Sequence, residues 1–256
     1  MNKIFSLENK IALVTGASRG LGRDVCIAFS EAGADIIAVS RNEELLKSLC
    51  EEIRGRGRKA LPVVADIGKA VDVMNVVEKS MNEFGRIDIL VNNAGISGPQ
   101  KLFKDIEESE WMDVFRTNLN GTLLCTKYVG KEMIQKNRGN IINISSVLGT
   151  IGTYFTCPYS VAKAGIIQFT RNVALEWSRY NIRVNCISPG MLKTDMMNQT
   201  LSDEKMTAVL LKNTPLRKVG QTGDVVGAAI FLASEASGHI TGENISIDGG
   251  FAMSKA

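Results

Sequence analysis

The stretch "KIALVTGASRGLG", residues 10–22, decides the fold class of this chain. It starts as an apolar run, passes through a glycine cluster and leads into the helical pattern "RDVCIAFSEAG" at 23–33. A strand run followed by a longer helical pattern indicates a βα unit. A glycine loop between the two is typical of a site for the pyrophosphate of a dinucleotide, because free N–H groups at a helix N-terminus attract anions.

The same alternation of strand and helix continues along the chain. Runs with strand character lie at 10–15, 34–39, 60–65, 86–91, 140–145, 182–188 and 243–248. Their nearly continuous Val, Ile and Leu content indicates burial on both faces. The sequence therefore predicts an α/β fold with one domain over 1–256, a doubly wound, seven-stranded parallel sheet with helices on both faces. In the segment 189–215, Pro, Gly and Met interrupt the alternation, which favours a substrate lid.

Composition argues against several classes of partner. The chain has 30 basic and 27 acidic residues without a basic stripe, so we expect no nucleic acid and no membrane partner. Neither a signal-peptide pattern nor a span of about 18 apolar residues occurs, which favours a cytoplasmic location. The five cysteines form no CxxC pair and the single histidine, His239, has no ligand-type neighbour, so no metal is expected.

The end of the second predicted strand bears on the identity of the dinucleotide. Here "SRN" (40–42) offers Arg41, where NAD-binding proteins use a carboxylate on the ribose 2′-hydroxyl. Together with Arg19 in the glycine loop, Arg41 favours a 2′-phosphate, and therefore NADP(H) over NAD(H). In the alternative interpretation, Asn42 caps the next helix and Arg41 is only solvated.

A phenol and an ammonium stand four residues apart in "CPYSVAK", residues 157–163. At that spacing Tyr159 and Lys163 share one helix face. A cation about 4–5 Å away lowers the phenol pKa from about 10 by about 2–3 units, which suits a general acid/base near pH 7. The alternative is a chance pair on a solvated face. Two neighbours support the functional interpretation. Ser146 lies at the end of the fifth strand, and Asn118 lies within a helical pattern although Asn has a low helix propensity.

Together these motifs resemble the short-chain dehydrogenase/reductase family over about residues 7–250. The pattern TGxxxGxG matches 15–22, NNAG matches 92–95, YxxxK matches 159–163, a PG turn matches 189–190, and the active-site Ser and Asn match Ser146 and Asn118. The resemblance implies a Rossmann sheet and hydride transfer between a nicotinamide and a secondary alcohol or ketone. Sugar acids, 3-oxoacyl compounds and general carbonyl compounds all remain candidate substrates, because gluconate 5-dehydrogenases, 3-oxoacyl-carrier reductases and carbonyl reductases of the family share these features.

The resemblance also implies a role for each site residue. Tyr159 would be the general acid/base, Lys163 would lower its pKa and hold the nicotinamide ribose, and Ser146 would polarise the substrate oxygen. Asn118 would hold a water that links Lys163 to solvent. The predicted cofactor-binding residues are Gly16, Ser18, Arg19, Gly20, Leu21, Gly22, Ser40, Arg41, Asn42, Asp66, Ile67, Asn93, Ala94, Gly95, Tyr159, Lys163, Pro189, Gly190 and Thr194.

Two further expectations follow from the same resemblance. Family members suggest a homotetramer, or a homodimer, built partly through helices within 103–136 and 158–180. The alternative function is that of a catalytically inactive dinucleotide-sensing or scaffold protein of the same fold, since a fold alone does not establish an activity.

Overall fold

Seven strands form one parallel sheet in this computed structural model, which describes residues 3–197 and 201–255. The strands are β1 (Ile11–Thr15), β2 (Asp35–Ser40), β3 (Ala60–Val64), β4 (Ile89–Asn92), β5 (Gly139–Ile144), β6 (Ile182–Pro189) and β7 (Asn244–Ile247). Their order in the sheet is β3-β2-β1-β4-β5-β6-β7, and every neighbouring pair is parallel. The predicted doubly wound, seven-stranded sheet is confirmed.

Helices connect the strands. They are α1 (Gly20–Glu31), α2 (Glu43–Gly55), α3 (Ala70–Phe84), α4 (Glu108–Val114), α5 (Gly121–Gln135), α6 (Cys157–Trp177), α7 (Glu204–Asn213) and α8 (Thr222–Ala233). A π-helical turn, Phe115–Asn120, joins α4 to α5. Short 3-10 segments lie at Lys3–Phe5, Phe103–Asp105, Val147–Gly149, Ser178–Tyr180, Asp195–Met197, Glu235–Ser237 and Met253–Lys255.

The sheet is buried on both faces by two apolar layers. Successive residues of a strand point to opposite faces, so Val14 of β1 packs in one layer with residues of α1 and α8, such as Phe29 and Leu232. Leu13 packs in the other layer with residues of α3 and α5, such as Val76. All five residues of β1 are buried, which explains why the four before Thr15 are apolar.

The chain reverses its direction of travel across the sheet between β1 and β4. It first runs outward to β3 and then returns to pair β4 with β1 on the other side. Ligands of such sheets bind beyond the carboxyl ends of the strands at this switch point. Thr15 and Asn92 end the two strands there.

Two sequence predictions differ from the structure in detail. The run predicted at 86–91 begins as a strand only at Ile89, because Arg86 and Asp88 form an ion pair at the amino edge of the sheet, with Nε and Oδ2 2.9 Å apart. Within the segment 189–215, β6 extends to Pro189 and α7 has no buried residue. Residues 198–200 lie outside the described residues, and the lid stays a prediction.

Among the helices of the described residues, none has the length and apolarity required to cross a lipid bilayer.

Candidate active site

The glycine loop after β1 packs directly against the turn after β4. Gly16 has φ of +66°, and a Cβ there would lie 2.8 Å from Ala94 Cα. A Cβ at Gly22 would overlap both the Gly16 carbonyl oxygen and Asn93 Nδ2. These positions therefore require glycine, because any side chain would separate the two loops.

Thr15 fastens the same two loops together. Its hydroxyl accepts the backbone N–H of Asn93 at 3.0 Å and that of Ala94 at 3.1 Å. In return Asn93 Nδ2 donates to the Thr15 carbonyl at 3.0 Å. Because Thr15 is 1% exposed, this network holds the start of α1 and the carboxyl end of β4 in a fixed relation.

The N-terminus of α1 fits an anionic ligand. The N-cap residue is Arg19, and no described side chain caps the helix through it. The next helix, α2, differs, since Asn42 Oδ1 accepts the N–H of Leu45 at 2.9 Å. The first amides of α1, behind a loop of mostly small residues, therefore suit the pyrophosphate of a dinucleotide. Ser18 and Leu21 lie on this same loop and first turn.

At the end of β2 the structure shows a helix cap beside an exposed arginine. Asn42 caps α2, as the alternative interpretation of "SRN" expected, and Ser40 Oγ accepts the N–H of Asn42 at 3.2 Å. Arg41 is exposed. The Arg19 guanidinium lies 3.9 Å from Asp195, with both side chains largely exposed. The two arginines that favour a 2′-phosphate are thus open to solvent.

Asp66 and Ile67 follow β3. Asp66 Oδ1 accepts the N–H of Gly68 at 3.0 Å and Oδ2 accepts Nη1 of Arg116 at 2.9 Å. Burial pushes the pKa of Asp66 up, but the hydrogen bonds from Gly68 and Arg116 outweigh it and leave that pKa below its usual value. Ile67 is buried, and a Cβ at Gly121 would lie 2.5 Å from its Cδ1.

The PG turn brings a later segment back to the glycine loop. Pro189 ends β6, and Gly190 donates its N–H to the Ile247 carbonyl at 2.9 Å. Beyond that turn, Cγ2 of Thr194 would lie 3.8 Å from a Cβ at Gly20. Thr194 therefore lies beside the glycine loop, and its contact with a nucleotide stays a prediction.

Ser146, Tyr159 and Lys163 meet beyond the carboxyl end of β5. Ser146 is the second residue after β5, and the other two lie on the first turns of α6. Lys163 Nζ lies 5.6 Å from the centroid of the Tyr159 ring. The Ser146 side chain is close enough to the phenol to lower its pKa. The structure thus brings together the three residues that the sequence singled out.

Lys163 is held through both its ammonium and its backbone carbonyl. Its Nζ donates to the Ile144 carbonyl at 2.8 Å, and Ser145 Oγ donates to the Lys163 carbonyl at 2.7 Å. Lys163 is only 4% exposed, and burial lowers its pKa to about 8, against an opposing effect of Cys186. In the free protein its charge is therefore only partly retained just above neutral pH.

The predicted lowering of the Tyr159 pKa is wrong for the protein without a nucleotide. Burial of the phenol raises its pKa, and the Ser146 side chain lowers it by less. A Coulomb calculation from sequence spacing includes the cation but omits desolvation, which disfavours the phenolate. Lys163 is also directed to a carbonyl, and its own pKa is lowered.

Asn118 lies fully buried in the π-helical turn. Its Oδ1 accepts the N–H of Ile96 at 2.8 Å and its Nδ2 donates to the Ile96 carbonyl at 2.9 Å. A Cβ at Gly95 would lie 3.2 Å from Asn118 Oδ1 and 3.7 Å from Lys163 Nζ, so these groups adjoin. The amide fastens the segment after β4, a structural use that the sequence did not reveal; the proposed water stays a prediction.

Sequence reasoning missed three contributors to the site. The Ile144 carbonyl that binds Lys163 is a backbone atom and leaves no sequence signal. Thr15 was recognised only as the first residue of the TGxxxGxG motif, and the hydrogen bonds by which it joins the two loops were not predicted. Arg116 gave a weak signal, since it stands two residues before Asn118 and close to Asp113, whose carboxylate lies 3.7 Å from its Nε.

Comparisons with known proteins agree with this geometry. Residues 16–252 match the family described as Enoyl-(Acyl carrier protein) reductase. The chain is 38% identical to a 3-oxoacyl-acyl-carrier-protein reductase of Thermotoga maritima, covering 96% of this chain and 99% of the relative. It is 36% identical to a 2-dehydro-3-deoxy-D-gluconate 5-dehydrogenase of Escherichia coli, covering 96% and 97%.

A solved structure matches over the same length. It is a gluconate 5-dehydrogenase from Burkholderia cenocepacia in complex with NADP and tartrate, with a TM-score of 0.95 and 34% identity over 98% of both chains. These relatives are named dehydrogenases or reductases, and the solved structure has the same fold. The chain is an oxidoreductase of the short-chain dehydrogenase/reductase family.

Proposed function

We propose that this protein is an NADP(H)-dependent oxidoreductase that transfers hydride between the nicotinamide and a secondary alcohol or ketone, with Tyr159 as general acid/base. The observation that carries the proposal is the meeting of Ser146, Tyr159 and Lys163: the Ser146 side chain acts to lower the phenol pKa, and Lys163 Nζ lies 5.6 Å from the centroid of the phenol ring. This meeting point lies at the carboxyl edge of the sheet, where a dinucleotide groove belongs.

Each side chain has one task in the proposed reaction. Bound NADPH would supply the hydride. Tyr159 donates its proton to the carbonyl oxygen, or removes a proton from the alcohol in the reverse direction. Ser146 orients the same oxygen, and Lys163 stabilises the phenolate that forms. Lys163 has three donors, and one is used on Ile144, which leaves donors for a ribose hydroxyl and the phenolate.

The Tyr159 pKa sets the condition under which this mechanism operates. In the free protein burial keeps the phenol protonated. A positively charged nicotinamide beside the ring favours the phenolate, and it acts in the same direction as Lys163. Oxidation of an alcohol therefore needs the nucleotide in place before Tyr159 becomes a base.

The preference for NADP(H) rests on Arg41 and Arg19. Both guanidinium groups are exposed, and 40–42 contains no carboxylate that would repel a 2′-phosphate. Guanidinium matches phosphate oxygens in a bidentate manner. The gluconate 5-dehydrogenase of similar fold was solved with NADP, which supports the same choice.

We propose a medium-sized carbonyl substrate with an apolar part, among the sugar-acid, 3-oxoacyl and general carbonyl classes. Tyr154 and Phe155 lie between Ser146 and Tyr159 in sequence, and their side chains are 82% and 52% exposed. Phe155 has φ of +67°, which is strained for a bulky residue and is retained in proteins mainly at functional positions. An exposed aromatic pair held in this way favours contact with an apolar group of the substrate.

We propose that the chain assembles into a homotetramer or homodimer in the cytoplasm. Exposed apolar side chains on and next to α4 and α6, including Phe103, Met112 and Leu175, support a homotetramer or homodimer. Light scattering would decide between these assemblies, and a mass of one chain would reject both. All five cysteines are free, which supports a reducing compartment such as the cytoplasm; recovery of the protein with intramolecular disulfides would contradict it.

The experiment is a panel of ketones from the three classes, assayed by NADPH oxidation with wild type and Tyr159→Phe. We expect Tyr159→Phe to bind NADPH as wild type does and to lose turnover about 10²- to 10⁴-fold. Tyr128→Phe is the matched control, because Tyr128 also lies on a helix with a lysine near its ring, Lys131 at 5.4 Å. Retained turnover in Tyr159→Phe would reject the role of Tyr159, and NADPH binding without turnover on any class would favour the sensor alternative.

A further inference from the structure

The loop after β3 contacts the π-helical turn at two points. Arg116 Nη1 binds Asp66 Oδ2 at 2.9 Å, and a Cβ at Gly68 would lie 2.9 Å from that same nitrogen. At the other end of the turn, Gly121 packs on Ile67, as the 2.5 Å separation from a Cβ shows. Residues 66–68 thus lie against both the beginning and the end of the turn.

These two contact points are joined by the hydrogen bond that defines the turn. The N–H of Gly121 donates to the carbonyl of Arg116, five residues earlier, in place of the α-helical bond to the residue four earlier. Arg116 therefore supplies both the acceptor of this bond and the guanidinium that reaches Asp66. Asn118 lies between the two ends.

Asp66 holds the guanidinium in a defined place. One carboxylate oxygen is occupied by the N–H of Gly68, so the side chain is fixed within its own loop and the second oxygen is directed to Arg116. Asp66 is mostly buried, with 19% of its side chain exposed, while Arg116 is 41% exposed. The ion pair can therefore transmit a displacement of the loop to the turn.

On its far side, the turn leads to the catalytic lysine. Asn118 binds both backbone groups of Ile96, and Gly95 lies beside both Asn118 Oδ1 and Lys163 Nζ. The turn thus lies between residues 66–68 and Gly95, which is next to Lys163 Nζ.

We propose that the Asp66–Arg116 ion pair couples occupation of the adenine end of the groove to the position of Asn118, so that Arg116 is a positioning residue for the active site. The inference rests on the proposed dinucleotide site, in which Asp66, a predicted cofactor-binding residue just after β3, would lie near the adenine. It goes beyond the proposed reaction, because Arg116 itself touches neither the phenol nor the substrate oxygen.

The test uses 2′,5′-ADP, which lacks a nicotinamide and thus reaches the turn only through the adenine end. The readout is hydrogen exchange of the Gly121 amide, the donor of the π-helical bond. In wild type we expect saturating 2′,5′-ADP to slow this exchange at least about fivefold, the lower end of typical coupling between sites. In Arg116→Met, which keeps the aliphatic stem, we expect the nucleotide to bind and the slowing to disappear.

Two further variants sharpen the result. Arg116→Lys restores the charge without the guanidinium and should recover part of the slowing; it also replaces Arg116→Met should that variant fail to fold. Lys101→Met is the matched control, since it breaks an ion pair to the preceding helix, with Nζ and Glu110 Oε1 2.7 Å apart, and leaves Asp66 untouched. With a ketone substrate, Arg116→Met should lower kcat about fivefold with little change in KM.

The outcomes separate this inference from the proposed function. Equal slowing in Arg116→Met and wild type, or no slowing in nucleotide-bound wild type, would overturn the coupling. Failure of 2′,5′-ADP and of 5′-AMP to bind would instead contradict the dinucleotide site. In that case the role of the ion pair is still tested by hydrogen exchange without nucleotide. The Gly121 amide should exchange faster in Arg116→Met than in wild type, and an unchanged rate would overturn the inference.

Discussion

Replacement of Lys163 by Met should change how the stability of the protein depends on pH. Lys163 is 4% exposed, and its ammonium has one backbone acceptor, the Ile144 carbonyl. Burial lowers its pKa from 10.5 to about 8 in the folded protein. The unfolded chain restores the ordinary value, so folding and protonation of Lys163 are linked.

The magnitude follows from the two pKa values. A difference of 2.5 units corresponds to about 3 kcal/mol of unfolding free energy, all of it unfavourable below pH 8. Between pH 8 and 10.5 the unfolded state holds a proton that the folded state has lost, so stability rises with pH in that window. From pH 7.5 to 9.5 the wild type should gain about 2 kcal/mol relative to Lys163→Met.

The assay is urea unfolding of both proteins at fixed concentration between pH 7.5 and 9.5. Groups that titrate alike in both proteins cancel in the difference of their unfolding free energies. Loss of the donor to Ile144 shifts the variant by about 1–3 kcal/mol at every pH and does not affect the slope. Lys131→Met removes an exposed lysine and serves as control, with no slope expected.

A difference that stays constant across this pH range would refute the reasoning. It would mean that Lys163 keeps an ordinary pKa in the folded protein and is not desolvated. The account of an active-site lysine whose burial destabilises the free enzyme would then fail, although the hydrogen bond to Ile144 would stand.

Two further substitutions test the cofactor preference and the ion pairs at the amino edge of the sheet. Arg41→Asp should weaken NADPH binding about 10- to 100-fold, by loss of a charge-assisted contact, without weakening NADH binding; fluorescence titrations measure both, and equal NADPH affinity in variant and wild type would exclude Arg41. Asp88→Asn should destabilise the protein by about 1–3 kcal/mol, since Asp88 is 6% exposed and binds Arg86 and Arg138, which are themselves about half exposed. Burial pushes the Asp88 pKa up, but hydrogen bonds from Ile11, Arg138 and Arg86 outweigh it and lower that pKa, so this stability is present above about pH 4 and is lost as the pH falls. Thermal unfolding should therefore show a lower Tm for Asp88→Asn than for wild type at pH 7, and this difference in Tm should become smaller in acid. Asp105→Asn, at an exposed position, is the control. Equal Tm values of Asp88→Asn and wild type at pH 7 would contradict the prediction.

The sheet could be predicted because each strand is indicated by a short run of neighbouring residues. Runs of apolar β-forming residues separated by helical patterns are sufficient for a doubly wound sheet, and all seven predicted runs contain an observed strand, apart from shifts at their ends. The start of β4 was misplaced because Asp88 binds Arg86 at the sheet edge and also binds Arg138, which is distant in sequence.

The candidate site was predictable where spacing along one helix determines proximity. Tyr159 and Lys163 lie four residues apart on α6, and Ser146 follows a strand end, so their meeting follows from topology. The π-helical turn around Asn118 and its contact with residues 66–68 depend on packing between distant segments. The sign of the Tyr159 pKa shift was wrong because desolvation depends on burial, which spacing does not determine.

The most direct test of the central claim is the pKa of Tyr159 with and without NADP⁺. ¹³C NMR of protein labelled at tyrosine Cζ reports the ionisation of the four tyrosines, and Tyr159→Phe assigns the signal. We expect Tyr159 to titrate above its ordinary pKa of about 10 in the free protein and to shift towards neutral pH when NADP⁺ is bound. A Tyr159 signal that titrates at the same pH in both states would contradict the assignment of this phenol as the acid/base of the reaction.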